Sequence, residues 1–289
     1  MDEETKALVE AIASLKQESG YFKDYIFPLA IGLFSSLLGA SVAYFTIRHQ
    51  DYASLQKSRV QAINNWILSA EGAMQSLISI KQNYHGNLES NPFQRAMVVR
   101  SLIGETQKID KDIAKLAFIV PRKTEPDTHD IKWRQIPRIR SMVQNYNLIV
   151  DTWNKRAEID RPIKEKLMQD YGQLAYAHVN SEQIFNSVGA ANFTLLIDFT
   201  ERAVKFTDDL ILEFHDFLQH FPEMAKTLID EEYRDRYGPI LTFSTGGNLR
   251  LENLMEKSTE VDYSILAPLL GESEEKIRAE YETGYEELH

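Results

Sequence analysis

The sequence predicts an all-α chain: one transmembrane helix that continues into a helical stalk and a cytosolic helical bundle. Three observations predict it. Residues 25–47 carry no charge. The segments that follow repeat their apolar residues in steps of three and four, the period of a helix face. No stretch alternates apolar and polar residues strongly enough for a sheet, and no internal repeat appears.

The chain has 289 residues, 43% apolar and 26% charged, so a folded part with a sizeable core is expected. It has no cysteine, which excludes disulfides, thiolate metal sites, a cysteine nucleophile and cysteine-linked lipid, and leaves the redox compartment open. The formal net charge of -11 is unevenly spread: about -3 before the apolar run, +7 over residues 48–166 and -15 over residues 167–289. An acidic distal half argues against nucleic acid as a partner, because phosphate contacts supply most of that affinity.

The acidic tail, residues 1–24, places Leu8, Ile12 and Leu15 on one helical face with Val9 beside it. This reads as a short amphipathic helix up to about Glu18, broken at Gly20. The span comes next. Its 23 residues rise about 34 Å as a helix, enough for a hydrocarbon core of about 30 Å. Lys23 and Asp24 flank it on one side and Arg48 and His49 on the other. Tyr25, Tyr44 and Phe45 stand at the ends where amphipathic rings are favoured, and Pro28 falls in the first turn. A buried core helix and a cleaved signal peptide ending near Ser41-Val42-Ala43 are the competing readings. The run is long for either, and the acidic tail is wrong for a leader.

Lys and Arg near the two ends balance, so orientation rests on the acidic tail and the basic segment after the span. Both place the N-terminus outside and the bulk of the chain in the cytosol. Gly32, Ser36 and Ala40 form one row of small residues along the span, and Ser35, Gly39 and Ala43 a second. Such rows let two backbones approach closely, so a homo-oligomer joined through the span is expected.

Residues 48–120 read as the stalk helix and a returning helix. Tyr52, Leu55, Arg59, Ile63, Trp66, Ala70, Met74, Leu77, Lys81 and Tyr84 make a coiled-coil-like seam that stops at His85-Gly86-Asn87. Asn91 and Pro92 then cap a helix over residues 93–120, weakest at Gly104. Residues 121–131 are a loop. The bundle, residues 132–271, contains a helix from Trp133 or Pro137 to Ala157, a restart at Asp160-Arg161-Pro162 reaching Tyr171, and a short helix over residues 181–188. Its longest helix, residues 190–220, has a stripe of Leu196, Phe199, Ala203, Phe206, Leu210, Phe214, Phe217 and Phe221, and Pro222 restarts the chain towards Tyr233. A loop over residues 238–248, with a short extended stretch at 240–243, leads to two short helices and an acidic segment, residues 272–289.

Three groups of residues bear on chemistry. Asp209, Glu213, Asp216 and His220 share one helical face with His215 nearby, a face read as solvated rather than metal-binding because the paired Glu-x-x-His pattern of di-iron bundles is absent. Thr245-Gly246-Gly247-Asn248 reads as a turn, lacking the strand, helix and Lys of a phosphate loop. Lys132, Trp133, Arg134, Arg138 and Arg140 suit an anionic lipid surface, or pairing with the acidic half. Common hydrolase, zinc-protease and dinucleotide motifs are missing. No catalytic residue, cofactor or metal is assigned. The expected role is that of a membrane-anchored interaction or sensor protein whose partners are the bilayer, further copies and another protein. A membrane-permeabilising effector of a toxin or phage-defence system and an anchored enzyme are the alternatives.

Overall fold

The computed structural model describes residues 2–101, 106–122, 131–172 and 180–285, with side chains at 15–19 and 21–23 left aside. The described residues are mainly helical and include no strand, as the sequence predicts. Gly104, most of the expected loop at 121–131 and residues 173–179 lie outside the described residues. The chain divides into two compact units, Met1–Ser58 and Arg59–His289.

In the first unit, α1 (Glu3–Tyr21) runs on through Gly20 into a π-helical turn, Phe22–Ile26. The predicted break at Gly20 is therefore absent, because an isolated glycine only weakens a helix by about 1 kcal/mol. Leu8, Val9 and Ile12 are all more than half exposed. α2 (Phe27–Lys81) begins here and is shared by both units. The helical run Asp24–Lys81 is long and apolar enough to cross a membrane, and none of its most apolar stretch is buried.

The second unit opens on the distal part of α2, where Val60, Ile63, Trp66, Ile67, Ala70, Met74 and Leu77 are buried. This half of the expected stalk is a core helix, which explains why its apolar stripe is wider than a two-residue seam. The helix ends at Lys81 and turns through Gly86, whose φ of 75° is the left-handed conformation a non-glycine residue resists.

Asn91 caps α3 (Pro92–Val98) by accepting from the Phe93 amide at 2.9 Å, with Pro92 at the first position. The helix predicted over 93–120 is not continuous. Residues 106–112 are not helical, and a 3₁₀ turn follows at Ile113–Ile119. The polar run Gln107–Asp112 offers α-helical packing little apolar surface, and side chains take up its backbone instead. Asn147 holds both the amide and the carbonyl of Ile109, at 2.9 and 3.0 Å, and Tyr146 donates to Gln107 O at 2.9 Å.

A short 3₁₀ turn, Lys132–Arg134, precedes α4 (Ile136–Tyr171), which runs straight through Pro162. α5 (Ser181–Val188) lies where predicted and is closed by an Asn180–Gln183 capping box. α6 (Ala190–Lys226) passes through Pro222 rather than stopping at His220. In both helices core residues flank the proline, Asp160 and Ile163 in α4 and Phe221 and Ala225 in α6, so packing holds the helix across a missing N–H.

α7 (Glu231–Tyr237), α8 (Leu249–Met255), α9 (Tyr263–Leu270) and α10 (Glu274–Tyr281) complete the unit. Residues 240–243 form no strand. The acidic end contains a third short helix, α10, whose Ile277 and Tyr281 are buried against Tyr263, Leu266 and Ala267.

α6 is the central element, packed by α3, α4, α5, α8, α9 and the Lys132–Arg134 turn. Its aromatic stripe meets Trp133 edge-on at 4.9 Å through Phe217, and Tyr146 edge-on at 5.7 Å through Phe214. Phe214 is fully buried, so Phe214→Ala is expected to destabilise the second unit by about 3–5 kcal/mol, read as a lowered urea midpoint of the detergent-solubilised full chain.

Candidate functional site

Because α6 is enclosed on most sides, its polar residues are enclosed too. Thr200, Glu201, Thr207, Asp208, Asp209 and Glu213 are all buried. The solvated face predicted for Asp209 and Glu213 is therefore corrected: other segments cover it and bring cations to it. Charges so far from water persist only when paired and hydrogen-bonded.

Lys81, fully buried at the end of α2, lies 2.7 Å from Asp208 Oδ1 and also donates to Glu256 O. The Ser258 amide donates to the other Asp208 oxygen at 2.7 Å. Arg95 of α3 donates through Nε to both Glu201 oxygens, at 2.9 and 2.8 Å, and through Nη1 to Glu89 O at 3.1 Å and Thr259 O at 2.6 Å. Burial still pushes the Glu201 carboxyl above its ordinary value, against the pull of Arg95.

Lys257 reaches Asp209 at 2.9 Å, and Glu213 takes Lys132 at 3.0 Å and Arg138 at 2.9 Å. A second layer lies under α3. Asp160 is paired with Lys164 at 2.9 Å and Arg156 at 3.6 Å, and Arg156 donates to the carbonyls of Ala96 and Val99 at 3.0 Å. Burial lowers the basicity of both Arg156 and Lys164.

Between this charged row and the segment after α8 lies a cleft of about 440 Å³. Arg95, Glu201, Asp208, Asp209, Lys257 and Tyr281 are among the residues that line it. Among the described residues no group of three or more His, Asp and Glu side chains stands ready to hold a metal ion.

The basic segment turns largely inward. Trp133 and Arg134 are buried, with Trp133 Nε1 donating to Asp216 at 3.0 Å and Arg134 Nε to Ile119 O at 2.7 Å. Lys132 also reaches Asp216, at 2.6 Å, and Arg138 binds Glu213. These contacts match pairing with the acidic half, and Arg140 is exposed. Burial raises the Asp216 carboxyl, but the hydrogen bond and charge of Lys132, with His220 and Trp133, outweigh it and hold the group below its usual range. His220 Nδ1 lies 2.9 Å from Asp216 and is mostly exposed. His215 is half-buried against Phe243, and burial pushes its imidazole below the ordinary value.

Thr245-Gly246-Gly247-Asn248 is a turn whose Asn248 side chain caps α8 through the amides of Arg250 and Leu251. In the first unit, Gly32, Ser35, Ser36, Gly39, Ala40 and Ala43 are all exposed. A methyl group added at Gly32 or Gly39 would meet nothing within 4 Å.

Pattern reading missed Lys81, Arg95, Glu201 and Asp208 as a set. The available signal was Lys81 standing, after Arg59, as the second base on a mostly apolar seam. Compared with protein-family models, curated proteins and solved structures, the chain matches none.

Lys81→Met is expected to cost about 3–5 kcal/mol in urea unfolding, because it leaves Asp208 buried beside an apolar chain. The double change Lys81→Met with Asp208→Leu should recover much of that loss. His215 resists protonation in the folded state, whereas the unfolded chain takes up that proton near pH 6.5. Its contribution is therefore present above about pH 6.5 and lost as pH falls towards the lower folded value. Unfolding midpoints should drop more steeply between about pH 7 and pH 5.5 for the parent chain than for His215→Gln.

Proposed function

We propose that the chain is a membrane-anchored helical interaction protein: residues 25–47 span the bilayer, copies associate through the span, and the second unit is presented in the cytosol. The observation that carries this reading is the helical run Asp24–Lys81, whose most apolar stretch has no burial of its own. Leu29, Leu33, Phe34, Leu37, Val42 and Phe45 are all more than half exposed around that stretch. So many large apolar side chains in water would be strongly unfavourable, at roughly 25 cal/mol per Å². Lipid tails remove that cost without any partner chain.

The small-residue rows support association in the plane of the membrane, where close backbone approach rather than hydrophobicity drives helices together. The space around Gly32 and Gly39 adds a discriminating feature. A β-carbon added there meets nothing within the chain itself, so an effect of larger residues on assembly points to contact with another molecule.

The detergent-solubilised chain is expected to have a mass, by light scattering corrected for detergent, of at least two copies. Replacing Gly32, Ser36, Gly39 and Ala40 together by Leu should reduce it to one, and an unchanged mass would count against association through this face. The absence of cysteine makes the topology directly readable. In intact cells an impermeant maleimide should label Ala7→Cys in the tail and spare Glu275→Cys in the second unit until the membrane is opened. The reverse pattern would invert the orientation.

A further inference from the structure

Beyond α10, residues 282–285 are held to α4 and α6 by hydrogen bonds of the Thr283 and Tyr285 hydroxyls. Tyr281 closes α10 and is buried, but beyond it Glu282 and Gly284 are exposed, and Thr283 and Tyr285 are only partly covered. Residues 282–285 are not helical and bend at Gly284, whose φ is 75°. Tyr281 donates to Asp198 Oδ1 at 2.5 Å and Thr283 to Asp209 Oδ2 at 2.5 Å. Asn145 of α4 donates to the Tyr285 hydroxyl at 2.6 Å.

Tyr281 and Asp209 both line the 440 Å³ cleft. The other Asp209 oxygen is held by Lys257, whose side chain is 47% exposed. On this flank the carboxylate is thus covered by two groups anchored at the surface, Thr283 and Lys257. The other pairs differ, since both partners of Arg95–Glu201 and of Lys81–Asp208 are at least 94% buried. One side of the cleft is fixed by pairs that nothing at the surface can release. The other is held by contacts that solvent can replace.

We propose that residues 282–285 form a latch beside the cleft, fastened to its lining residue Asp209 through Thr283, and that release of the Thr283 and Tyr285 contacts opens the Asp209 flank while the Arg95–Glu201 and Lys81–Asp208 pairs stay in place. The latch needs no change in α6 or α10, because Tyr281 remains packed when the following residues lift. It makes the cleft a gated chamber whose accessibility is set by a few hydrogen bonds. A hydroxyl–carboxylate bond of this kind shifts an opening equilibrium by about tenfold.

Ser258 supplies the reporter. It lines the cleft, and its hydroxyl is buried with no hydrogen-bond partner, so Ser258→Cys removes no contact and gives the chain its only thiol. The rate of maleimide modification is measured on the full chain in detergent. Adding Thr283→Val and Tyr285→Phe should raise it by about tenfold, while adding Thr283→Ser, which keeps the hydroxyl, should leave it unchanged. A rise below about threefold in a variant with native circular dichroism overturns the latch, as does an equal rise with Thr283→Ser. If the double variant fails to fold, hydrogen exchange of the unaltered chain decides. The latch requires the amides of residues 257–261 and 282–285 to exchange well before those of α6, and exchange of 257–261 only with α6 overturns it.

Discussion

Carboxylates inside the core of the second unit constrain everything around them. Glu201, Asp208, Asp209 and Glu213 project from one buried helix, and each is met by a base from a different part of the chain: Arg95, Lys81, Lys257, and the pair Lys132 and Arg138. Removing a carboxylate from water costs several kcal/mol before any partner is counted, and attraction at close range offsets that only when geometry is good. The pairs therefore add little net stability but much register. Sliding α6 by one turn would leave four charges facing apolar neighbours, so one alignment of α2, α3, α4 and the segment after α8 is strongly favoured over the rest.

The apolar packing is consistent with that alignment. The ring stack of Tyr84 on Trp153, at 5.8 Å, lies beside the charged row, and Trp153 Nε1 donates to Thr207 at 2.9 Å. Burial raises the Tyr84 hydroxyl well above its ordinary value, with the nearby Asp208 charge adding to the effect. The Trp153–Thr207 and Arg156–Thr200 hydrogen bonds, at 2.9 Å each, join α4 to α6 at this depth, and bonds of this kind stiffen a core.

Much of the helical content was legible from periodicity, and the uncharged run at 25–47 was legible from composition alone. The seam from Ile63 to Leu77 and the stripe from Leu196 to Phe221 both mark real core faces. Local rules failed where packing outweighed them. Pro162 and Pro222 read as breaks but lie inside helices flanked by buried residues, and Gly20 reads as a stop but sits within α1. The acidic face of α6 was misjudged for a related reason. An amphipathic pattern gives the width of the apolar stripe, but it does not say whether other segments bring lysine and arginine over the polar side. That pairing joins residues far apart in sequence, such as Lys81 of α2 and Asp208 of α6, and leaves no local mark on α6.

The reach of the Lys81 contacts also bears on how the chain is made. Lys81 leaves the ribosome long before Asp208 and Glu256 exist, and at about 5–20 residues per second the wait is roughly 9–35 s. Arg95 waits similarly for Glu201 and Thr259. Throughout that interval the bases at the end of α2 and in α3 stay hydrated and the apolar face of α2 lacks its cover. Nascent chains are therefore most vulnerable to aggregation, and most in need of a chaperone, in the window between synthesis of the apolar run and completion of α6.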